Sequence, residues 1–170
     1  MSIPQFPVWL RRSPAVAVLL AVLALAGCSD RSSPDAGSAD APGVTADTVV
    51  VGCSLPLTGH ASYLGKQTLY GAQAYINAVN EAGGVAGRSI KLITLDDGYD
   101  PPRCVANTQQ LIVEDRVFCL FSYVGTPTTA KIIPLLEEAR IPLVGSFTGA
   151  DALRFPFRRY IVNIRASYYQ

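Results

Sequence analysis

One stretch, Val49 to Asp100, constrains the fold more than any other part of the chain: it reads as strand, loop, helix, glycine turn and strand. It opens on a β-branched run, Thr48-Val49-Val50-Val51, and enters a turn-rich loop, Ser54-Leu55-Pro56-Leu57-Thr58-Gly59. From about Lys66 to Ala82 the apolar residues Leu69, Ala72, Ile76 and Val79 recur three and four apart, the spacing of one helix face. Gly83-Gly84 closes that helix, because glycine accepts the left-handed conformation of a C-cap. Ser89 to Leu95 then runs extended into Asp96-Asp97-Gly98. A strand–helix–strand unit of this kind builds parallel sheet. Its first loop lies outside the carboxyl end of a strand, where open parallel sheets hold ligands.

The pattern then repeats. Asp100-Pro101-Pro102 reads as an N-cap with proline in the first turn, and the helix to about Glu114 buries Val105, Thr108, Leu111 and Ile112. Val117 to Phe121 is continuously apolar, as a strand covered by helices on both faces should be. Thr126 and Pro127 read as the cap and first turn of a helix that places Ile132, Leu135, Leu136 and Ala139 on one face. Ile141 to Val144 is a fourth strand, Asp151 to Arg154 a helical turn and Tyr160 to Ile164 a fifth strand. The expected fold class is α/β, a doubly wound parallel sheet beginning near Thr48. A content of 49% hydrophobic and 16% charged residues in 170 suits such a core, and a net charge of +1 gives no footprint for nucleic acid.

The N-terminal part has a different character. Arg11-Arg12 precede an uncharged apolar stretch, Ala15 to Ala26, too short to span a bilayer but suited to a signal peptide. Leu25-Ala26-Gly27-Cys28 resembles a bacterial lipobox, so residues 1–28 read as a lipoprotein signal with Cys28 as the lipidated residue. An ordinary secretory signal with an incidental cysteine is the alternative. Residues 29–47, rich in Ser, Ala, Asp, Gly and Pro, read as a flexible tether.

At the strand carboxyl ends the loops carry Thr58, Ser62 and Tyr63; Asp96, Asp97 and Tyr99; Ser122, Tyr123 and Thr126; and Ser146 and Thr148. Hydroxyls, glycines and helix starts are groups that meet a carboxylate, although Ser and Thr there also cap helices. Val51 to Gly59, Asn80-Glu81-Ala82-Gly83-Gly84, Asp96 to Pro101, Gly125-Thr126-Pro127-Thr128 and Phe147-Thr148-Gly149-Ala150 together resemble the branched-chain amino-acid type of periplasmic solute-binding protein. Those proteins are receptors of ABC importers and have a type I, two-lobed fold. The resemblance implies that residues 48–170 are the N-terminal lobe, incomplete, with ligand held between it and a second lobe. It implies ligand contacts from Tyr63, from Val124, Gly125 and Thr126, and from Phe147, Thr148 and Gly149. It further implies an amino acid or related small carboxylate as ligand, an importer permease as partner, no cofactor, and a membrane-anchored place in the bacterial cell envelope. Phe147 and Gly149 stand where leucine-type receptors carry a small residue and a threonine, which opens the specificity towards aromatic or other small acids. A ligand-sensing or partner-binding lipoprotein feeding a regulator is the alternative on the same fold.

Other readings are set aside. His60 is the sole histidine and the cysteines lack metal-site spacing. Asp96-Asp97-Gly98-Tyr99-Asp100 lacks the glutamate of a calcium loop, and Gly83 to Gly87 follows a helix instead of opening one. There is no Ser-His pair, no cysteine with a histidine partner and no phosphate loop, so an enzyme is not expected. Cys104 and Cys119 are open to a disulfide or to two small buried thiols, and Arg154, Arg158 and Arg159 read as a solvated face.

Overall fold

The computed structural model describes residues 41–169. The expected signal peptide, Cys28 and the tether up to residue 40 lie outside the described residues. Strand β1 (Thr48–Leu55) pairs in parallel with β2 (Ser89–Asp96) along its whole length, from Thr48 opposite Ser89 to Leu55 opposite Asp96. Helix α1 (Ser62–Glu81) joins them. Helix α2 (Pro101–Val113), β3 (Cys119–Phe121), α3 (Thr126–Lys131), α4 (Ile133–Ala139), β4 (Leu143–Val144), a 3-10 turn (Asp151–Leu153) and β5 (Ile161–Val162) follow. The sheet order is β2-β1-β3-β4-β5 and every pair is parallel. The direction of winding reverses between β1 and β3. Because crossovers are right-handed, the helices before and after that reversal fall on opposite faces, and the carboxyl ends of β1 and β3 splay apart into a crevice.

Helix α1 starts four residues before the expected Lys66. Gly65 explains this: a Cβ there would lie 2.1 Å from the Pro56 carbonyl oxygen, so glycine alone lets the first turn rest on the loop after β1. Further along, Ile76 is buried and Leu69, Ala72 and Val79 are half-buried, the face expected from their spacing. In α2 the Asp100 carboxylate accepts the Arg103 N–H at 3.2 Å, capping a helix that starts on two prolines. Its buried residues are Cys104, Thr108 and Leu111, with Val105 and Ile112 at the margin.

The third helix breaks where one helix was expected. Pro134 has no N–H to give the carbonyl of Ala130 and its ring crowds that carbonyl, so the chain kinks at Ile132 into α3 and α4. The kink turns Ile132, Ile133 and Leu136 into the core, while Leu135 is half-buried and Ala139 exposed. The cap of α3 is Gly125, at φ +103°, and Thr126 is the first helical residue. Strands β3, β4 and β5 are shorter than expected, and before β3 and β4 the reason is that neighbouring N–H groups turn back to helix ends. Val117 donates to the Leu111 carbonyl and Ile141 to that of Leu136.

The end of the expected tether also differs. Val44 bridges Val49, the Gly43 carbonyl accepts the Val50 N–H at 2.7 Å, and the Thr45 hydroxyl accepts the Thr48 N–H at 3.0 Å. Residues 43–47 therefore belong to the folded edge: a turn at Gly43, φ +71°, folds the chain back along β1, where its backbone groups find partners. Cys53, Cys104 and Cys119 are free thiols, which decides between the two readings of Cys104 and Cys119. Burial pushes the Cys53 thiol up to about 11 and that of Cys104 up to about 12, and both are inert packing groups.

Candidate functional site

The polar residues at the carboxyl edge divide into those the fold consumes and those it leaves available. Asp96 is consumed. Its carboxylate accepts the Thr58 hydroxyl at 2.6 Å and the N–H groups of Leu57 at 2.8 Å and Gly98 at 2.9 Å, with Arg103 at 3.3 Å. Burial alone would raise this carboxyl, but those donors outweigh it and hold it at about 2. Asp97 is fully buried; it accepts the Ser54 hydroxyl at 2.8 Å and the Tyr99 N–H at 2.8 Å. Asn107 donates to Ser54 at 3.1 Å and completes the cluster. Desolvation raises the Asp97 carboxyl in spite of its hydrogen bonds.

Across the switch point the arrangement changes. The Thr126 and Thr148 hydroxyls meet at 2.7 Å, and the Tyr168 hydroxyl lies 3.4 Å from that of Thr148. Hydrogen bonding to Thr148, then to the Gly149 backbone, lowers the Tyr168 phenol. Two loops are tied together to make this cluster: Val124 bridges Phe147 in parallel, and the Phe147 N–H donates to the Tyr123 carbonyl at 2.7 Å. A cleft of about 530 Å³ opens beside it, lined by Thr126, Ala150, Asp151, Ala152, Tyr168 and Tyr169.

The residues expected at the site do not all share one place. Thr126 and Thr148 come together as described. Gly149 is the seat of Tyr168, whose N–H reaches its carbonyl at 3.0 Å; a Cβ on residue 149 would lie 2.7 Å from the tyrosine ring. Phe147 is exposed under the Arg165 guanidinium, 4.3 Å from the ring centre, beside a second cleft of about 410 Å³ that Ser146 and Ile164 also line. Val124 is buried and its carbonyl accepts the Thr128 hydroxyl at 2.8 Å. The Gly125 carbonyl accepts the Thr129 hydroxyl at 2.6 Å. Those two carbonyls are therefore spent inside the protein. Tyr63, 73% exposed on the first turn of α1, makes no hydrogen bond to the threonine cluster.

Sequence reasoning missed Tyr168 and Arg165 as members of this edge. Both follow β5, and only the ladder between β4 and β5 carries them back beside residues 145–149. It also misread two of the three arginines. Arg154 donates to the carbonyls of Ala150 and Arg165, and Arg158 pairs with Glu137 at 2.8 Å, so only Arg159 is a plainly exposed cation. Among the described residues no three His, Cys, Asp or Glu side chains cluster as metal ligands would. What the edge offers is hydroxyl donors, an exposed aromatic ring and concave space, which are groups that bind a small polar solute.

Comparison with known proteins agrees with this geometry. Residues 48–170 match the model of a family described as periplasmic binding protein. An amino acid binding protein of Pseudomonas aeruginosa is 31% identical over 93 residues, 55% of this chain and 25% of its own length. A possible leucine/isoleucine/valine-binding protein from Rhodopirellula baltica SH 1 superposes with a TM-score of 0.69 at 37% identity, over 76% of this chain and 34% of that one. A solute binding protein of an ABC transporter from Rhodopseudomonas palustris BisB5, solved with 3,4-dihydroxy benzoic acid, reaches a TM-score of 0.62 at 28% identity, over 71% and 32%. The chain thus spans about a quarter to a third of the length of these relatives. A match over residues 48–170, on a five-stranded parallel sheet that corresponds to one lobe of those folds, means that this chain belongs to the periplasmic binding protein family.

Proposed function

We propose that this chain is the solute-contacting lobe of a binding lipoprotein that serves an ABC importer of amino acids or related small carboxylates. The family binds solutes outside the cytoplasm and is not a family of enzymes. The single observation that carries the finer reading is the Thr126–Thr148 hydroxyl pair at 2.7 Å, bordered by Tyr168 and open to a cleft on the β3–β5 side of the carboxyl edge. Two hydroxyls that now hydrogen-bond each other can turn outward to a carboxylate, and hydrogen bonds to a charged acceptor are worth about 1.5–3 kcal/mol each. Phe147, exposed beside the second cleft under Arg165, adds an aromatic ring to the same edge, as suits a small or aromatic acid. In this reading residues 1–28 are the signal, Cys28 carries lipid, residues 29–42 link anchor to lobe, and an importer permease is the downstream partner.

The test is calorimetric titration with a panel of L-amino acids and hydroxybenzoic acids. One chemical class is expected to bind, and Thr126→Ala and Thr148→Ala should each weaken it roughly ten- to a hundredfold. Affinity within twofold of wild type in both variants would remove the two threonines from the site. For the anchor, Cys28→Ser is expected to release the protein from membranes; unchanged fractionation and mature mass would remove the lipid.

A further inference from the structure

Tyr99 leaves β2 at φ +66°, in the left-handed region that a residue with a β-carbon adopts only when its surroundings hold it there. The holder is Asp97, which accepts the Tyr99 N–H at 2.8 Å while Ser54 fixes the carboxylate from the other side. This backbone turn throws the ring along the carboxyl edge of the sheet, past β1, to the loop after β3. Strands β2 and β3 are separated by β1 and so stand roughly 9–10 Å apart. The tyrosine spans that gap and lands on Gly125. A Cβ at Gly125 would lie 2.4 Å from Cε2 of the ring, so the glycine serves both its own φ of +103° and the seat of the tyrosine. His60, from the loop after β1, meets the same ring edge-on, with centroids 5.3 Å apart at 76°. Loops from three strands therefore converge on one ring.

We propose that Tyr99 is a positioning residue of the cleft, a wedge whose ring on Gly125 sets the loop that carries Thr126; this rests on the ligand-binding reading of the same edge. Gly125 is the most conformationally free residue type. Its carbonyl is pinned from inside by the Thr128 and Thr129 hydroxyls, and its Cα side is covered by the Tyr99 ring. The next residue is Thr126, which must hold its hydroxyl within 2.7 Å of Thr148. Removing the ring frees the one residue from which α3 starts. Two amides report the position of this loop: Thr129, donating to the Gly125 carbonyl, and Phe147, donating to that of Tyr123.

Amide hydrogen exchange on the full chain tests the wedge without any ligand. Tyr99→Ala is expected to speed exchange at Thr129 and Phe147 about tenfold or more while the amides of α1 stay within about twofold. Tyr99→Phe keeps the ring and is expected to match wild type. Gly125→Ala, which leaves no room for the ring, should reproduce the local acceleration, and combining it with Tyr99→Ala should add little. Unchanged exchange at Thr129 and Phe147 in Tyr99→Ala overturns the proposal, as does an equal acceleration throughout α1 and the β1–β2 ladder, which marks ordinary core packing. Should Tyr99→Ala fail to fold, Tyr99→Leu, apolar but without a planar ring, is read by the same two amides and the same criteria. Because no solute enters this measurement, its failure leaves the ligand-binding reading intact, and a negative titration of the wild type leaves the wedge intact.

Discussion

The two sides of the sheet solve opposite problems. On the β1–β2 side two strands pair over eight residues, and the polar groups at their ends are saturated: Asp96 by five donor groups, Asp97 by Ser54 and Tyr99. On the β4–β5 side the ladder is two residues long, and Phe147, Val162, Ile164 and Tyr168 remain exposed. The contrast is sharpest between two buried serines. Ser54 donates to Asp97 and accepts from Asn107, whereas the Ser146 hydroxyl is buried without a partner among the described residues. Saturated groups hold a frame rigid; unsaturated hydroxyls and uncovered rings are what a frame can offer a solute. Serines and threonines on one sheet edge can thus mean scaffold on one side and site on the other.

Breaking the saturated side should have the largest effect. Asp97→Ala orphans the Ser54 hydroxyl and the Tyr99 N–H, each at about 1–3 kcal/mol, for a loss of roughly 2–6 kcal/mol in urea unfolding. A loss below about 1 kcal/mol would show that water replaces the carboxylate and that this side is no more saturated than the other. Ser54→Ala removes one partner from the same cluster and is expected to cost about 1–3 kcal/mol by the same measurement.

The two adjacent aspartates also predict a pH profile. Asp96 is held at about 2 against an ordinary 3.8, so its stabilisation is complete above 3.8 and is lost as pH falls towards 2. Asp97 is raised, so its contribution is complete below 3.8 and is lost as pH rises through its higher native value. On acidification from neutral, stability gains from Asp97 before it loses from Asp96. Asp97→Asn should abolish the gain and keep the loss below about pH 4. Identical profiles for variant and wild type would mean that Asp97 is ionised in the fold at no cost.

The smallest effect is expected on the unsaturated side. Ser146→Ala removes a buried hydroxyl that has no partner among the described residues, so stability should stay level or rise by up to about 1 kcal/mol. A loss above about 1 kcal/mol would reveal a partner for Ser146 and weaken the contrast between the two serines.

Local pattern made much of the frame legible. The inward face of α1 follows from Leu69, Ala72, Ile76 and Val79, the start of α2 from Asp100-Pro101-Pro102, and the parallel pairing of β1 with β2 from the helix between them. Each depends on residues within a few positions of one another. The break at Ile132 was also written in the chain, in Pro134, but the apolar spacing of Ile132, Leu135, Leu136 and Ala139 obscured it.

What the residues by themselves determine here is an α/β domain with hydroxyl-rich loops at its strand ends, because helix period, β-branched runs, caps and glycines act through neighbours in the chain. Only the tertiary structure decides which of those hydroxyls are spent. Asp97 meets Ser54 across 43 positions and Thr126 meets Thr148 across 22, through a strand order, β2-β1-β3-β4-β5, that no local signal encodes. Tyr99 on Gly125 is the extreme case: a ring leaves one strand end and is received two strands away, past β1. Hydrogen bonding and packing are settled by distances in space, and winding the sheet both ways from β1 brings together residues that the sequence keeps apart.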